Sequence, residues 1–434
     1  MRLRLALAAI VATGLLVQPP VSSLGAPRQS DHLRALRYSA QTAPPREIAK
    51  PQSAYPHSGE PIGTIRQVYE SALPPDLAVN TFRNTDRFFA TRVIRRGADV
   101  TALPRASSPL GAVRLTQDGR DYSLEDYVEL NRVAALLVIK DGRVTEERYR
   151  FGNTERTRWM SMSVAKSMTS ALVGAALKQG YIASLSDPIT KYVPALRESA
   201  YEGVALRDVL MMSSGVRWTE RYESPDSDRR KLLEAQISQT AGGAMAVMRA
   251  LPRAAEPGTR NLYNTGETQV VAEVLRAAIK RPLADYLSER IWSRVGMEDD
   301  ATWWLESPDG IEIGGSGISA TLRDYGRFGL FMLNGGIARG ESIFPDGWIA
   351  ESTSAKTLKT GRTISYGYLW WTPPSGPSVQ AHAYLGLGTY GQRLYVNPAA
   401  QVVVVVLSAR PGMSSGEVIS DWTFFDAVVA ALGK

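Results

Sequence analysis

The chain has 434 residues, 44% of them hydrophobic, which is enough for one large domain or two with a sizeable core. Its formal charge of +7 comes from basic residues scattered along the sequence, so no nucleic-acid-binding footprint is predicted. The absence of cysteine excludes disulfides, thiolate nucleophiles and sulfur-ligated metals.

Residues 1–25 have the pattern of a secretory signal peptide. Arg2 and Arg4 give a basic start, an apolar stretch covers 5–17, and small residues follow at 23–25. The apolar stretch is too short to span a bilayer, and no later segment carries a transmembrane run. A short uncleaved anchor is the alternative. We expect cleavage and a bacterial periplasmic or secreted location, which fits a chain without disulfides.

Residues 26–110 are rich in Pro, Ser, Arg and Ala, and their prolines interrupt any long element. We predict an irregular N-terminal extension that lies over a main domain at 111–434. A disordered tether is the alternative.

The main domain opens with predicted β-structure. A capping box at Ser123 starts a short helix. Strand-like runs at 134–140 and 143–149 flank Asp141-Gly142, a strong hairpin signal.

The rest of the domain is predicted to add helices and then strands. Residues 185–340 read as a mostly helical subdomain, whose clearest segments are 265–280, 282–295 and 322–334. Strands follow at 366–371, 392–396 and 402–407, and an amphipathic helix at 421–432 closes the chain. The order predicts an α+β fold, with one antiparallel sheet built from both ends of the chain, flanked by helices and interrupted by a helical insertion.

Ser163-Val164-Ala165-Lys166 is the one Ser-x-x-Lys spacing in the chain. On a helix, positions i and i+3 share a face, so a hydroxyl and an amine would lie side by side. The surrounding residues are apolar on all sides, which predicts a buried helix. Burial lowers the pKa of a lysine, which can then take the proton of a serine nucleophile. The alternative is a chance spacing with a solvated lysine.

Two further groups are candidates for the same site. Tyr263 precedes a helix start, where a phenol close to a lysine can relay protons; a packing aromatic is the alternative. The glycines at 386–391 match a dinucleotide-binding pattern, but they open a strand where that pattern needs a helix. We predict instead that they let the backbone approach a substrate.

A Gly-x-Ser-x-Gly pattern centred on Ser414 is a decoy, because no histidine follows it. The histidines are His32, His57 and His382, so neither a Ser-His-Asp triad nor a zinc site is expected. No metal or other cofactor is predicted.

Taken in order, these groups resemble the serine β-lactamase and penicillin-binding-protein superfamily. Within it, the sequence is similar to class C-like serine hydrolases of the 6-aminohexanoate-dimer hydrolase type, over about residues 80–430. The resemblance implies a β-lactamase/transpeptidase-like fold. The matching stretches are Asn80-Thr81-Phe82-Arg83, Ser163-Val164-Ala165-Lys166, the run 210–218, Tyr263-Asn264-Thr265-Gly266-Glu267-Thr268 and Gly391-Gln392-Arg393-Leu394-Tyr395-Val396.

The resemblance implies roles for the candidate residues. Ser163 would attack a carbonyl, Lys166 would be its base and Tyr263 the proton relay to the leaving group. The backbone N–H groups of Ser163 and Thr389 would form an oxyanion hole, each donor contributing about 3–4 kcal/mol. Substrate-binding positions would be Glu220, Tyr222, Asn264 and Gly388.

Two departures from the family pattern bear on the substrate. The Tyr-x-Asn motif has Thr265 at its third position, where Asn264 would only partly substitute. The cation of the Lys-Thr-Gly element is missing near Gly388, and Arg393 could replace it only if its strand turns it toward the site. In penicillin-recognising members that cation pairs with the substrate carboxylate, so its absence weakens a prediction of β-lactam hydrolysis or peptidoglycan carboxypeptidase activity.

We therefore predict an exported serine hydrolase that cleaves a small-molecule ester or amide through an acyl-enzyme. A β-lactamase or DD-peptidase is the alternative enzyme, and a non-catalytic binding protein that retains the fold is the alternative of another class. No nucleic-acid partner and no membrane span after signal removal are expected, and the oligomeric state stays open.

Overall fold

The structure is a computed structural model that describes residues 55–373 and 380–433. The predicted signal peptide and the first part of the extension lie outside the described residues. A compact unit begins at Tyr55. No helix in the described ranges combines the length and the apolar character needed to cross a bilayer.

Helices occur along the whole described chain. The α-helices are α1 (Ile65–Tyr69), α2 (Pro75–Phe82), α3 (Leu124–Leu130), α4 (Val164–Lys178), α5 (Leu206–Leu210), α6 (Asp228–Ile237), α7 (Gly243–Arg249), α8 (Thr265–Ile279), α9 (Leu283–Leu287), α10 (Ser293–Val295), α11 (Leu322–Leu333), α12 (Trp348–Ser352) and α13 (Asp421–Leu432). Shorter turns are the 3₁₀-helices Thr85–Arg87, Ile189–Lys191, Pro194–Leu196 and Thr389–Gly391 and the π-helix Ser288–Trp292.

The strands are mostly short. They are β1 (Thr91–Ile94), β2 (Arg114–Gln117), β3 (Arg120–Ser123), β4 (Val133–Lys140), β5 (Arg143–Tyr149), β6 (Arg158–Met160), β7 (Ala301–Trp304), β8 (Ile318–Thr321), β9 (Ile337–Ala338), β10 (Glu341–Ser342), β11 (Lys356–Thr357), β12 (Thr363–Ile364), β13 (Tyr384–Gly388), β14 (Gln392–Asn397) and β15 (Val402–Ser408).

The main sheet confirms the predicted assembly from both ends of the chain. Its order is β13-β14-β15-β4-β5, and all its neighbours are antiparallel. The hairpin between β4 and β5 turns at Asp141 and Gly142, whose φ angles of 50° and 73° are those of a type I′ turn. Helices and antiparallel sheets together confirm the α+β class.

The main sheet separates two apolar cores because its side chains alternate between faces. Val403 and Val405 of β15 pack in the core that contains α4 and α11. Val404 and Val406 pack in the core that contains Phe424 of α13. All four valines are buried, and burying such a side chain contributes about 1.5–3 kcal/mol. Helix α4 is thereby fixed against one face of the sheet.

A second sheet, of order β1-β7-β8-β6, was not predicted. Its inner strands β7 and β8 are four residues long and buried throughout, so they show none of the polar alternation that identifies a strand. Strand β6 pairs with β8 and leads directly to Ser163, and Ser161 N–H donates to the Ile318 carbonyl at 2.7 Å. This sheet therefore fixes the segment between β6 and α4.

Two regions differ from the sequence-based expectation. Residues 55–110 are not merely an irregular extension, since they contain α1, α2 and β1, and Val68 and Phe82 are buried in the main core. The predicted strand at 366–371 is instead a turn, in which Leu369 has a φ of 62° and Gly367 N–H donates to the Trp370 carbonyl at 2.8 Å.

Candidate active site

Ser163 lies at the N-terminal cap of α4, where a short connection delivers it from the end of β6. Met162, the residue before it, is buried and has a φ of 42°, a left-handed conformation that bulky residues rarely adopt. The helix that follows is buried from Val164 to Ala176, as its apolar sequence predicted. A sharp turn followed by a rigid helix fixes the position of the serine hydroxyl.

Lys166 contacts Ser163 within the buried first turn of α4. Its Nζ donates to Ser163 Oγ at 2.8 Å and to the Gly315 carbonyl at 2.9 Å. The side chain is 1% exposed, and this burial lowers the pKa of Lys166 to about 7, with Glu220 opposing and Arg229 adding to the shift. About half of the lysine is therefore uncharged at neutral pH.

Tyr263 faces the same pair from the segment before α8. The Lys166 Nζ lies 5.3 Å from the centroid of its ring, and the ring stacks on Trp371 at 5.5 Å. Burial, and then the charge of Glu220, raise the pKa of Tyr263, while a hydrogen bond with Ser163 lowers it. The net shift is upward, so the phenol keeps its proton at neutral pH.

Ser163 and Tyr263 line a cavity of about 380 Å³, whereas Lys166 does not line it and reaches it through Ser163 Oγ. Most of the predicted site residues line this cavity: Ser163, Glu220, Tyr222, Tyr263, Gly388 and Thr389. The rest of the lining consists of Trp371, Leu387, Gly391, Arg393, Arg410, Met413, Ser414, Ser415 and Glu417. A cavity of about 600 Å³ elsewhere contains none of the predicted residues.

Asn264, predicted to bind substrate, does not line the cavity. Its side chain is buried and caps α8, where its Oδ1 accepts from Glu267 N–H at 3.2 Å. The cap satisfies one of the unpaired N–H groups at the helix start, and this turns the amide away from the site.

The end of β13 lies against the start of α4. A Cβ on Gly388 would stand 2.6 Å from the Ser161 carbonyl oxygen, so only glycine permits this approach. The backbone approach seen at this glycine is therefore to the connection between β6 and α4, whereas the prediction was an approach to a substrate. Within the described ranges, the N–H groups of Ser163 and Thr389 have no protein acceptor, and both residues line the cavity. These two N–H groups are therefore candidates for the predicted oxyanion hole.

A sequence profile of the Beta-lactamase family matches residues 127–423. The chain belongs to the Beta-lactamase family.

Known relatives agree with this assignment. A 6-aminohexanoate-dimer hydrolase from Paenarthrobacter ureafaciens is 29% identical over 329 residues, covering 70% of this chain and 82% of the relative. A Bacillus anthracis structure, provisionally named a 6-aminohexanoate-dimer hydrolase, is 25% identical with a TM-score of 0.71 and covers 81% of this chain and 92% of its own. A family VIII carboxylesterase shares the fold, with a TM-score of 0.54 at 17% identity over 71% of this chain and 94% of its own.

Glu220, which the resemblance implies as a substrate-binding position, lines the cavity and also hydrogen-bonds to the segment that follows Tyr263. Its carboxylate accepts from Thr265 N–H at 2.9 Å and from Thr265 Oγ1 at 2.5 Å, and Trp218 Nε1 also donates to it. The residue at the third position of the Tyr-x-Asn motif is thus fixed to an acidic wall of the cavity. Glu220 also lies 3.9 Å from Arg229, measured from Oε1 to Nε.

Arg393 reaches the cavity, but its charge is engaged. Its Nε donates to Asp421 at 2.6 Å and its guanidinium also donates to the Gly388 carbonyl at 2.7 Å. Arg410, which was not predicted, donates to the same Asp421 at 2.5 Å. The two guanidiniums share two carboxylates, those of Asp421 and Glu417, so Arg393 does not simply replace the missing family cation.

Ser414 also lines the cavity, although its Gly-x-Ser-x-Gly pattern was rejected as a nucleophile motif. Its side chain is exposed, and no hydrogen bond to a base is found for it among the described residues. The cavity lining thus contains three serines, Ser163, Ser414 and Ser415, and among them Ser163 alone has a lysine partner within the described ranges.

Proposed function

We propose that this protein is an exported serine hydrolase that cleaves a carboxylic ester or amide through an acyl-enzyme on Ser163. The observation that supports this most is the 2.8 Å hydrogen bond between Ser163 Oγ and the buried amine of Lys166, whose pKa of about 7 leaves much of it free to accept a proton.

In the proposed first half-reaction, uncharged Lys166 takes the proton of Ser163 as Oγ bonds to the carbonyl carbon. The carbonyl oxygen becomes an oxyanion, held by the N–H groups of Ser163 and Thr389. Tyr263 gives its proton to the leaving alkoxide or amine and regains one from the Lys166 ammonium. The bond to the leaving group breaks, and the acyl-enzyme remains.

In the second half-reaction, water takes the place of the leaving group. It loses a proton to the same relay as it attacks the acyl carbon, and Ser163 Oγ leaves with that proton. The carboxylic acid is released and the free serine is restored.

The proposed substrate class rests on a relative and on the cavity. The relative that is 29% identical is named a 6-aminohexanoate-dimer hydrolase, and two molecules of an amino acid are joined through an amide. The cavity lining combines aromatic side chains, including Tyr222 and Trp371, with polar side chains, including Glu417. We propose short linear amides and esters as substrates. Penicillin-like substrates are less favoured, because Asp421 engages Arg393.

The matched pair Ser163→Ala and Ser414→Ala tests the proposal, since both serines line one cavity. Turnover of p-nitrophenyl butyrate and of the linear 6-aminohexanoate dimer, and covalent labelling by a fluorophosphonate, should vanish in Ser163→Ala and persist in Ser414→Ala. Peptide mapping should place the label on Ser163. Retained turnover in Ser163→Ala, or a label on Ser414, would refute the assignment.

The same assay separates the alternatives. Turnover of nitrocefin at a rate above that of the ester would favour a β-lactamase. A correctly folded chain that neither turns over any of these compounds nor takes the label would be a binding protein that retains the fold.

Export is part of the proposal and rests on residues 1–25. Expression in a Gram-negative host, with fractionation and N-terminal sequencing, should find a shortened chain in the periplasm or medium. A full-length N-terminus in the cytoplasm would contradict export without affecting the catalytic proposal.

A further inference from the structure

Helix α1 and the two residues that follow it lie before the family-matched region, yet they contact three parts of the cavity wall. We propose that this segment, residues 65–71, is an intramolecular clamp that sets the shape of the substrate pocket and so acts as a specificity determinant. The inference rests on the proposed hydrolase function.

The first contact holds the turn that carries Thr389. The Tyr390 hydroxyl donates to the Val68 carbonyl, and both residues are buried. Tyr390 has a φ of 61°, a strained conformation for a bulky residue, so an external contact is needed to keep it there. Because Tyr390 follows Thr389 directly, the clamp helps to fix the position of the Thr389 N–H, one donor of the proposed oxyanion hole.

The second contact holds the wall formed by Tyr222. The rings of Tyr69 and Tyr222 lie 6.1 Å apart, centroid to centroid, within the range of attractive aromatic pairs. Arg229 donates to the Tyr69 hydroxyl and places its guanidinium carbon 4.5 Å from the Tyr69 ring centroid. Glu70 pairs with Arg230 at 3.1 Å. Tyr69 thereby joins the Tyr222 segment to α6.

The third contact holds the loop that contains Met413 and Ser414. Ser71 Oγ accepts from Met413 N–H at 3.2 Å, and the Met413 carbonyl accepts from Tyr390 N–H at 3.1 Å. The loop and the turn that carries Thr389 are therefore connected to each other and to the clamp. Three cavity walls that are distant in sequence share this one support.

The clamp touches neither Ser163 nor Lys166, which α4 and Gly315 position. Loosening the clamp should therefore change which substrates fit more than it changes the nucleophile. Displacement of a substrate by about 1 Å can cost a hundredfold in rate, so small movements of these walls are enough to alter specificity. Tyr69 is accordingly a positioning residue.

The test compares Tyr69→Phe, which keeps the ring and loses the hydroxyl, with Tyr69→Leu, which loses the ring. The matched control is Tyr286→Phe, which removes another buried phenol, one that donates to Gln179 at 2.8 Å and does not line the cavity. The assay is kcat/KM for p-nitrophenyl esters from acetyl to octanoyl.

We expect the ratio of octanoyl to acetyl kcat/KM to change about tenfold in Tyr69→Leu, and less in Tyr69→Phe. The ratio should stay constant in Tyr286→Phe, and the fluorophosphonate should still label Ser163 in all three variants. An unchanged ratio in both Tyr69 variants, or an equal change in the control, would overturn the clamp.

Hydrogen exchange of the whole chain gives a second readout that needs no turnover. Residues 219–224 and 411–416 should exchange faster in Tyr69→Leu than in the wild type or in Tyr286→Phe. Unchanged exchange would overturn the clamp even in an inactive protein. Absence of Ser163-dependent turnover in the wild type would instead refute the proposed function, so the two failures are distinguishable.

Discussion

The Glu220 carboxylate accepts two hydrogen bonds from Thr265, one from its N–H at 2.9 Å and one from its hydroxyl at 2.5 Å. Thr265 is the first residue of α8, two positions after Tyr263. One acidic side chain therefore fixes the segment that carries the phenol. Its charge adds to the burial that raises the pKa of Tyr263, and it partly opposes the burial that lowers the pKa of Lys166.

Replacing Glu220 by Gln should move the acidic limb of the kcat/KM–pH profile to lower pH. Glutamine keeps the size and an acceptor oxygen but removes the negative charge that favours the Lys166 ammonium. The pKa of Lys166 should then fall below its value of about 7, so that the free amine persists to lower pH.

The control for this variant is Glu129→Gln, which removes a carboxylate from an exposed pair with Arg150 at 2.7 Å. Its profile should match the wild type. A shift of the Glu220→Gln limb to higher pH would contradict the electrostatic argument.

Replacing Lys166 by Met should abolish turnover and alter the pH dependence of stability. The pKa of Lys166 is about 7 in the folded protein and ordinarily 10.5, so between these values the unfolded chain binds the extra proton. The stability of the wild type therefore rises with pH across this window, by up to about 1.4 kcal/mol per pH unit. Methionine does not titrate, so the variant lacks this contribution to the pH dependence of stability.

Thermal unfolding between pH 6 and 9.5 should show this difference. The difference in Tm, Lys166→Met minus wild type, should be largest near pH 6 and should fall as the pH rises. Lys178→Met, which changes an exposed lysine of the same helix, should run parallel to the wild type. Parallel curves for Lys166→Met would mean that the amine is not held in its uncharged form.

Replacing Tyr263 by Phe should cost about 10²–10⁴ in rate, with a dependence on the leaving group. The burial that raises the pKa of Tyr263 keeps its phenol protonated, so its role is to supply a proton. p-Nitrophenolate leaves without one, whereas an alkoxide or an amine requires it. The loss should therefore be larger for an ethyl ester or an amide than for the p-nitrophenyl ester.

Tyr366→Phe is the matched control, because Tyr366 is buried and its ring meets that of Tyr263 at 6.4 Å. It should lose little activity on any substrate. Equal losses for all leaving groups in Tyr263→Phe would show that the phenol acts by packing.

The contact between Ser163 and Lys166 could be predicted from sequence because it is local. Ser163 and Lys166 are three residues apart on one helix, and the apolar residues around them already implied burial. Tyr263 needed the ordered family motifs, since it lies a hundred residues further along the chain.

Other parts of the site depend on long-range pairing that no local pattern encodes. Arg410 reaches the cavity only because β15 pairs with β4 and ends beside Asp421 of α13. The helix cap that turns Asn264 away from the cavity depends on where α8 begins. The role of the segment around Tyr69 appears only once the fold places it against Tyr222.

Gly386 and Gly388, the two glycines of β13, provide a final test of how the turn that carries Thr389 is positioned. Gly388 has an extended backbone with a φ of −117°, so alanine is conformationally allowed there and only its contacts matter. A Cβ would lie 2.6 Å from the Ser161 carbonyl oxygen and 2.9 Å from Gln392 Cβ, and the backbone must move to relieve this. At Gly386 the nearest atoms are 3.2 Å and 3.3 Å away and belong to side chains.

Gly388→Ala should therefore lower kcat by about 10–100-fold, because it displaces the Thr389 N–H from the forming oxyanion. Gly386→Ala should be milder, since the side chains of Ser167 and Val164 can adjust by a few tenths of an ångström. Measured rates on the p-nitrophenyl ester, with melting temperatures for both variants, would distinguish displacement of the turn from general unfolding. Wild-type kcat in a folded Gly388→Ala would show that β13 does not need to lie this close to α4, and the oxyanion donor would have to be sought elsewhere.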